Sequence, residues 1–164
     1  MPPVIDALAF AQRGESLAGV TPVARLERLA GELARTTGVI EWCVSGQAWR
    51  DDQGRDRPRL RLVAGGELVA VCARCLGELA HKLQIDRWLA LAPDEASAER
   101  EDLETDAYDV VAASERFSVS AWLEDECLLA LSLDDRHPDC SLPPVRLEES
   151  LNPFAALAPL KNKG

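Results

Sequence analysis

Positive charge, histidine and long apolar runs are all in short supply in this chain of 164 residues, and each shortage removes a class of function. There are 18 Lys and Arg against 28 Asp and Glu, for a formal net charge of −10. The imbalance is local: residues 1–82 hold 11 basic and 10 acidic side chains, residues 83–164 hold 7 and 18. Binding nucleic acid through a bulk positive field needs many Lys and Arg to displace counterions, so any RNA contact must be local or made through a protein partner. Only two histidines occur, His81 and His137. With no glycine-rich phosphate loop and no Ser/His/Asp or Cys/His arrangement supported by spacing, no catalytic constellation stands out, and His81 reads as a surface or partly packed residue. No apolar run has the length of a membrane span, and no leader-like segment is seen. Five cysteines, an odd count, argue against a disulfide scaffold and for a reducing cytoplasm.

What is present is a pair of pairs. Cys72-Ala73-Arg74-Cys75 and His137-Pro138-Asp139-Cys140 each set two soft-metal ligands across a two-residue gap. Such a gap lets a tight turn aim both at one ion, and the four together would satisfy tetrahedral zinc. The pairs are more than 60 residues apart in sequence, so the fold has to bring them together. Two other readings stay open: packed structural thiols, since Val69 to Cys72 has the pattern of a buried strand, and a redox pair, which would want the motif opening a helix in a βαβ setting. Cys43 and Cys127 sit in strand and helix patterns and are expected in the core.

Along the chain, Ile5 to Arg13 has helical spacing with Gly14 as its stop. Thr21-Pro22 supplies a cap and a first-turn proline for a second helix to about Arg35. The period then changes to two, giving expected strands at Val39 to Arg50, Arg59 to Ala64, Leu68 to Cys72 and Leu83 to Ala92, with Gly65-Gly66 closing a hairpin. Residues 94–109 carry eight acids against Arg100 and few large apolar residues, which reads as a solvated, mobile loop; a calcium loop would need ordered carboxylates and a turn glycine. Tyr108 to Val111 resembles one more strand. Ser120 is placed to cap a helix over Ala121 to Leu131. The expected fold is a single α+β domain over residues 1–164: a mainly antiparallel sheet, two N-terminal helices, one C-terminal helix and a tail over 141–164.

Two surfaces suggest contacts. Arg57, Arg59 and Arg61 share one face of a strand by period-two alternation and form a candidate RNA- or partner-facing stripe; an ordinary solvated strand face, the norm in antiparallel sheets, is the other reading. In the tail, Phe154, Leu157 and Leu160 recur at three-residue spacing after Asn152-Pro153, as in a short helix that either docks into a partner's groove or packs back on this domain as a satellite of the core.

Ile5-Asp6, Phe10-Ala11, Gly14, Leu17 and Gly19, then Cys72-x-x-Cys75-Leu76, the acidic middle, Trp122-Leu123-Glu124-Asp125-Glu126 into Leu128 to Leu131, His137-x-x-Cys140 and Asn152-Pro153-Phe154-Ala155 with Leu160-Lys161 together resemble the YceD family of bacterial large-subunit ribosomal RNA accumulation proteins. The likeness lies in the succession of motifs over nearly the whole chain. It departs at Ser132, where relatives usually show proline after the helix end. The resemblance implies a non-enzymatic cytoplasmic factor in ribosome biogenesis. Its partner would be large-subunit ribosomal RNA precursor or a ribosomal protein, with no membrane and no small-molecule substrate. A protein-interaction or structural zinc module without RNA contact is the alternative; an RNA-modifying or redox enzyme has little support.

Overall fold

The computed structural model describes residues 3–50, 54, 56–104, 108–132 and 135–140. Three long strands form its frame: β4 (Val39–Arg50), β5 (Asp56–Val71) and β6 (Glu78–Ala92). They follow β1 (Val4–Ile5), α1 (Ala7–Gln12), β2 (Ser16–Pro22), a 3-10 turn at Val23–Arg25, α2 (Glu27–Glu32) and β3 (Leu33–Arg35), and precede α3 (Glu95–Asp102), β7 (Asp109–Ala112), β8 (Phe117–Ser118) and α4 (Val119–Ala130). The sheet runs β2-β4-β5-β6-β7, with β3 also paired to β5, and β1 pairs β8 separately. Its pairs are antiparallel except β6–β7, which is parallel and is connected through α3. The fold is thus α+β, as expected, with four α-helices among the described residues where three were expected.

Alternation separates the two faces. Ile40, Trp42 and Val44, Leu60 and Leu62, and Leu83 and Ile85 point inward and join one core with Phe10 and Ala11 of α1, Val23, Leu26 and Leu29, and Val119, Trp122, Leu123 and Cys127 of α4. Glu126 is a buried carboxylate, made tolerable by the Trp122 indole N–H, which donates to it at 3.1 Å. At the far end α3 covers the outer face, and Ala90, Ala92, Ala98 and Val110 form a second small cluster there.

Several expectations need correction. Thr21-Pro22 ends edge strand β2 instead of starting a helix. The Thr21 hydroxyl accepts from Trp42 Nε1 at 2.9 Å. The first turn of α2 is held from across the molecule, where Glu124 Oε1 accepts from the backbone N–H of Arg28 (2.8 Å) and Leu29 (3.2 Å). Gly65-Gly66 makes no hairpin. Both lie inside the 16-residue β5, and a Cβ on Gly66 would stand 2.6 Å from the Val39 carbonyl oxygen, so glycine here serves strand approach. The acidic stretch contains helix α3, capped by Asp94, whose carboxylate accepts from Ser97 N at 2.8 Å. Ser118, rather than Ser120, caps α4. Cys43 is exposed on the outer sheet face, while Cys127 is buried as expected. Gly14 does terminate α1 with φ of 62°.

Candidate metal centre

The turn joining β5 to β6 carries Cys72 and Cys75. It is fastened at its base, where Cys72 N–H donates to the Gly77 carbonyl at 2.9 Å and Leu76 N–H to the Cys72 carbonyl at 3.0 Å. Leu76 takes φ of 58°, unusual for a branched side chain, and lets the backbone curl round the first sulfur. The N–H groups of Cys75, Arg74 and His137 all donate toward Cys72 Sγ, and they hold this thiol's pKa down to about 6 against its burial.

Residues 135–140 lie against this turn. Ala73 N–H donates to the Asp135 carbonyl (2.8 Å), Arg74 Nη1 to the Cys140 carbonyl (2.6 Å), and His81 Nδ1 meets Asp135 Oδ2 at 2.6 Å. The two sequence pairs therefore converge: one ligand atom from each of Cys72, Cys75, His137 and Cys140 lies within 4.8 Å of all the others. A tetrahedral zinc ion with bonds of about 2.3 Å to sulfur and 2.0–2.1 Å to nitrogen sets S···S edges near ~3.8 Å and S···N edges near ~3.6 Å. Cys72 Sγ and Cys140 Sγ are 3.8 Å apart, and Cys75 Sγ and His137 Nδ1 are 3.6 Å apart.

The histidine is set in the ligating tautomer. His137 Nε2 sits 2.8 Å from the Glu78 carbonyl oxygen, which can only accept, so the proton resides on Nε2 and the Nδ1 lone pair faces the thiols. That carbonyl, first, and the neighbouring Cys75 thiol raise the pKa of the ring. Burial and the adjacent sulfurs push the Cys140 thiol up to about 11. Three thiols and an imidazole form a closed four-ligand set that could hold a metal ion; sets with no position left for water or substrate serve structure.

The other candidates are placed differently. Arg57, Arg59 and Arg61 share the outer face of β5, as alternation required, yet two of them are paired: Arg57 with Glu101 of α3, and Arg61 with Asp86 of β6 at 2.6 Å. Arg59 lies over the Trp88 ring at 3.9 Å and the Trp49 ring at 5.0 Å from their centroids. Trp49, Trp88 and Tyr108 were not anticipated; only strand register, which sets Trp49 opposite Arg57 and Trp88 opposite Arg61, brings the indoles beside the stripe. Phe154, Leu157 and Leu160, with the whole tail 141–164, lie outside the described residues.

Fold and site together define an α+β protein in which a Cys3His cluster clasps the turn of its longest hairpin. Residues 60–161 match the family described as large ribosomal RNA subunit accumulation protein YceD, and the chain belongs to that family. The match spans both ligand pairs, β6, α3 and α4. No curated protein and no solved structure matches the chain, and no helix among the described residues is long and apolar enough to cross a membrane.

Proposed function

We propose that this chain is a non-catalytic cytoplasmic binding factor that supports accumulation of large-subunit ribosomal RNA, with zinc at Cys72, Cys75, His137 and Cys140 as a structural clasp. The observation that carries the zinc part is the convergence of the four side chains within 4.8 Å of one another, with the Cys72–Cys140 and Cys75–His137 separations close to tetrahedral edges. Three soft thiols and one imidazole favour zinc over hard cations, which take oxygen ligands. The family description supports the ribosomal part. The factor's partner is large-subunit ribosomal RNA precursor or a ribosomal protein, and the working surfaces are the Arg57, Arg59 and Arg61 stripe and the segment holding Phe154, Leu157 and Leu160.

Two measurements test this reading. Protein purified without chelator should contain one zinc per chain, and a Cys75→Ser, Cys140→Ser variant should contain none. In gradients of cell extract the chain should travel with large-subunit precursors. Deleting residues 152–164 should reduce that comigration while the melting temperature stays put; an absence of comigration for the intact protein would refute the ribosomal role.

A further inference from the structure

Beside the paired arginines lies a corner of different chemistry. Trp49 at the end of β4, Arg59 in β5, Trp88 in β6 and Tyr108 just before β7 surround a cavity of about 130 Å³ floored by Ala90. That is well below the roughly 300–1,000 Å³ of a drug-sized ligand pocket and suits a single planar ring. Trp49 and Tyr108 meet edge to face, with centroids 5.6 Å apart at 84°. The Arg59 guanidinium carbon lies 3.9 Å from the Trp88 ring centroid and 5.0 Å from that of Trp49, and Nε and Nη2 both donate to the neutral Gln47 Oε1 at 2.9 and 2.6 Å.

Charge distinguishes this arginine from its neighbours. Arg50 is bound to Asp56, Arg57 to Glu101 and Arg61 to Asp86, so the stripe offers no broad positive field for a duplex backbone. Arg59 has only an amide for a partner in these contacts and keeps an uncancelled charge between two aromatic faces. Its partial burial lowers its pKa, as expected for a cation held away from water. Half-buried aromatic rings on the outer face of an antiparallel sheet, at the margin of α3 and with a cation set among them, resemble the arrangement on which unpaired bases stack. A duplex keeps its base faces inside the helix and cannot use it.

We propose that Trp49, Arg59, Trp88 and Tyr108 form a site for an unpaired base of single-stranded RNA, which stacks on the indoles while Arg59 meets the adjoining phosphate. This inference rests on the ribosomal RNA reading and adds the class of RNA and the mode of contact.

The test uses the full zinc-loaded chain and a labelled single-stranded RNA of mixed sequence, about a dozen nucleotides long to cover one site, with a duplex of equal length as competitor. The single strand should bind and quench tryptophan fluorescence, and the duplex should compete poorly. Trp88→Leu should weaken binding roughly 5- to 150-fold, the loss of one stacked base, with Trp88→Phe restoring part of it. Arg59→Gln should weaken binding and lower the salt slope by about one. Should Trp88→Leu fold poorly, as judged by zinc content and melting, Tyr108→Leu and Arg59→Gln carry the test. Equal affinity in wild type and these variants, or equal competition by duplex, overturns the proposal. Comigration with large-subunit precursors without oligonucleotide binding also overturns it, assigns the contact to a protein, and leaves the ribosomal role standing. Variant-sensitive binding without comigration supports this site and refutes the ribosomal role.

Discussion

The two ends of the β5–β6 hairpin are held by different physics. At the turn, Cys72, Cys75, His137 and Cys140 gather with backbone hydrogen bonds and ion pairs around them and, apart from buried Cys72, little buried apolar surface. At the opposite end Ala98 of α3 packs on Ala90, Ala92 and Val110, and Trp49, Trp88 and Tyr108 surround Arg59. Apolar packing holds whenever water is the solvent, whereas a ligand cluster holds strongly only when its ligands are deprotonated and its ion is bound. One end of the same hairpin is therefore unconditional, and the other, with zinc bound as proposed, would be conditional on metal and pH.

The largest expected break in this symmetry is metal removal. Zinc at 1,000 times its Kd would contribute about 4 kcal/mol, so chelation or Cys75→Ser should lower the melting temperature by roughly 8–16 °C in a chain of this size. Hydrogen exchange should rise first around residues 72–78 and 135–140, while β4 and α4 keep their protection. An unchanged melting curve after verified zinc loss would contradict the clasp.

The reciprocal perturbation is Val110→Ala at the packed end. Deleting two buried methyl groups should cost about 1–2 kcal/mol and roughly 2–8 °C, with zinc content still one per chain. A loss of zinc in this variant would mean that the ends are coupled, against the comparison drawn above.

A smaller effect follows from Cys72 in the metal-free protein. Its folded pKa, about 6, is below the usual thiol value because N–H groups of Cys75, Arg74 and His137 stabilise the thiolate. A depressed pKa contributes stability that is fully present above the unfolded value, near ~8.5, and is lost as pH falls through 6. The gap in melting temperature between chelated wild type and chelated Cys72→Ser should accordingly narrow from pH 9 to pH 5.5. A gap that widened on acidification would reverse the assigned sign. Smallest of all is Arg61→Ala: its pair with Asp86 is exposed and screened by solvent, so melting should stay within replicate scatter and zinc content should not change.

Much of this was legible from residue pattern. The two-residue gaps singled out all four residues of the Cys/His cluster, because a tight turn is a local property and its chemistry is written in adjacent residues. Val39–Arg50 was readable to its ends, since alternation over twelve residues resembles nothing else. The errors share a cause. At Thr21-Pro22 a local capping signal lost to edge pairing with β4. At Gly65-Gly66 a turn signal lost to a strand partner on each side. In α3 the packing surface is made of alanine, too small to mark an apolar face among eight acids, and its burial depends on Ala90 and Val110 from elsewhere in the chain.

The amino-acid sequence by itself determined which Cys and His residues could serve as ligands, the α+β composition, the two-faced arginine strand and the absence of a broad positive field, because each rests on residue type and short-range periodicity. Tertiary structure alone decided that His137 and Cys140 meet Cys72 and Cys75, that Glu78 sets the histidine tautomer, and that two tryptophans and a tyrosine surround Arg59. Those are long-range juxtapositions, fixed by strand register and by a connection of more than 60 residues, and a local pattern carries no information about which distant residue will stand opposite it.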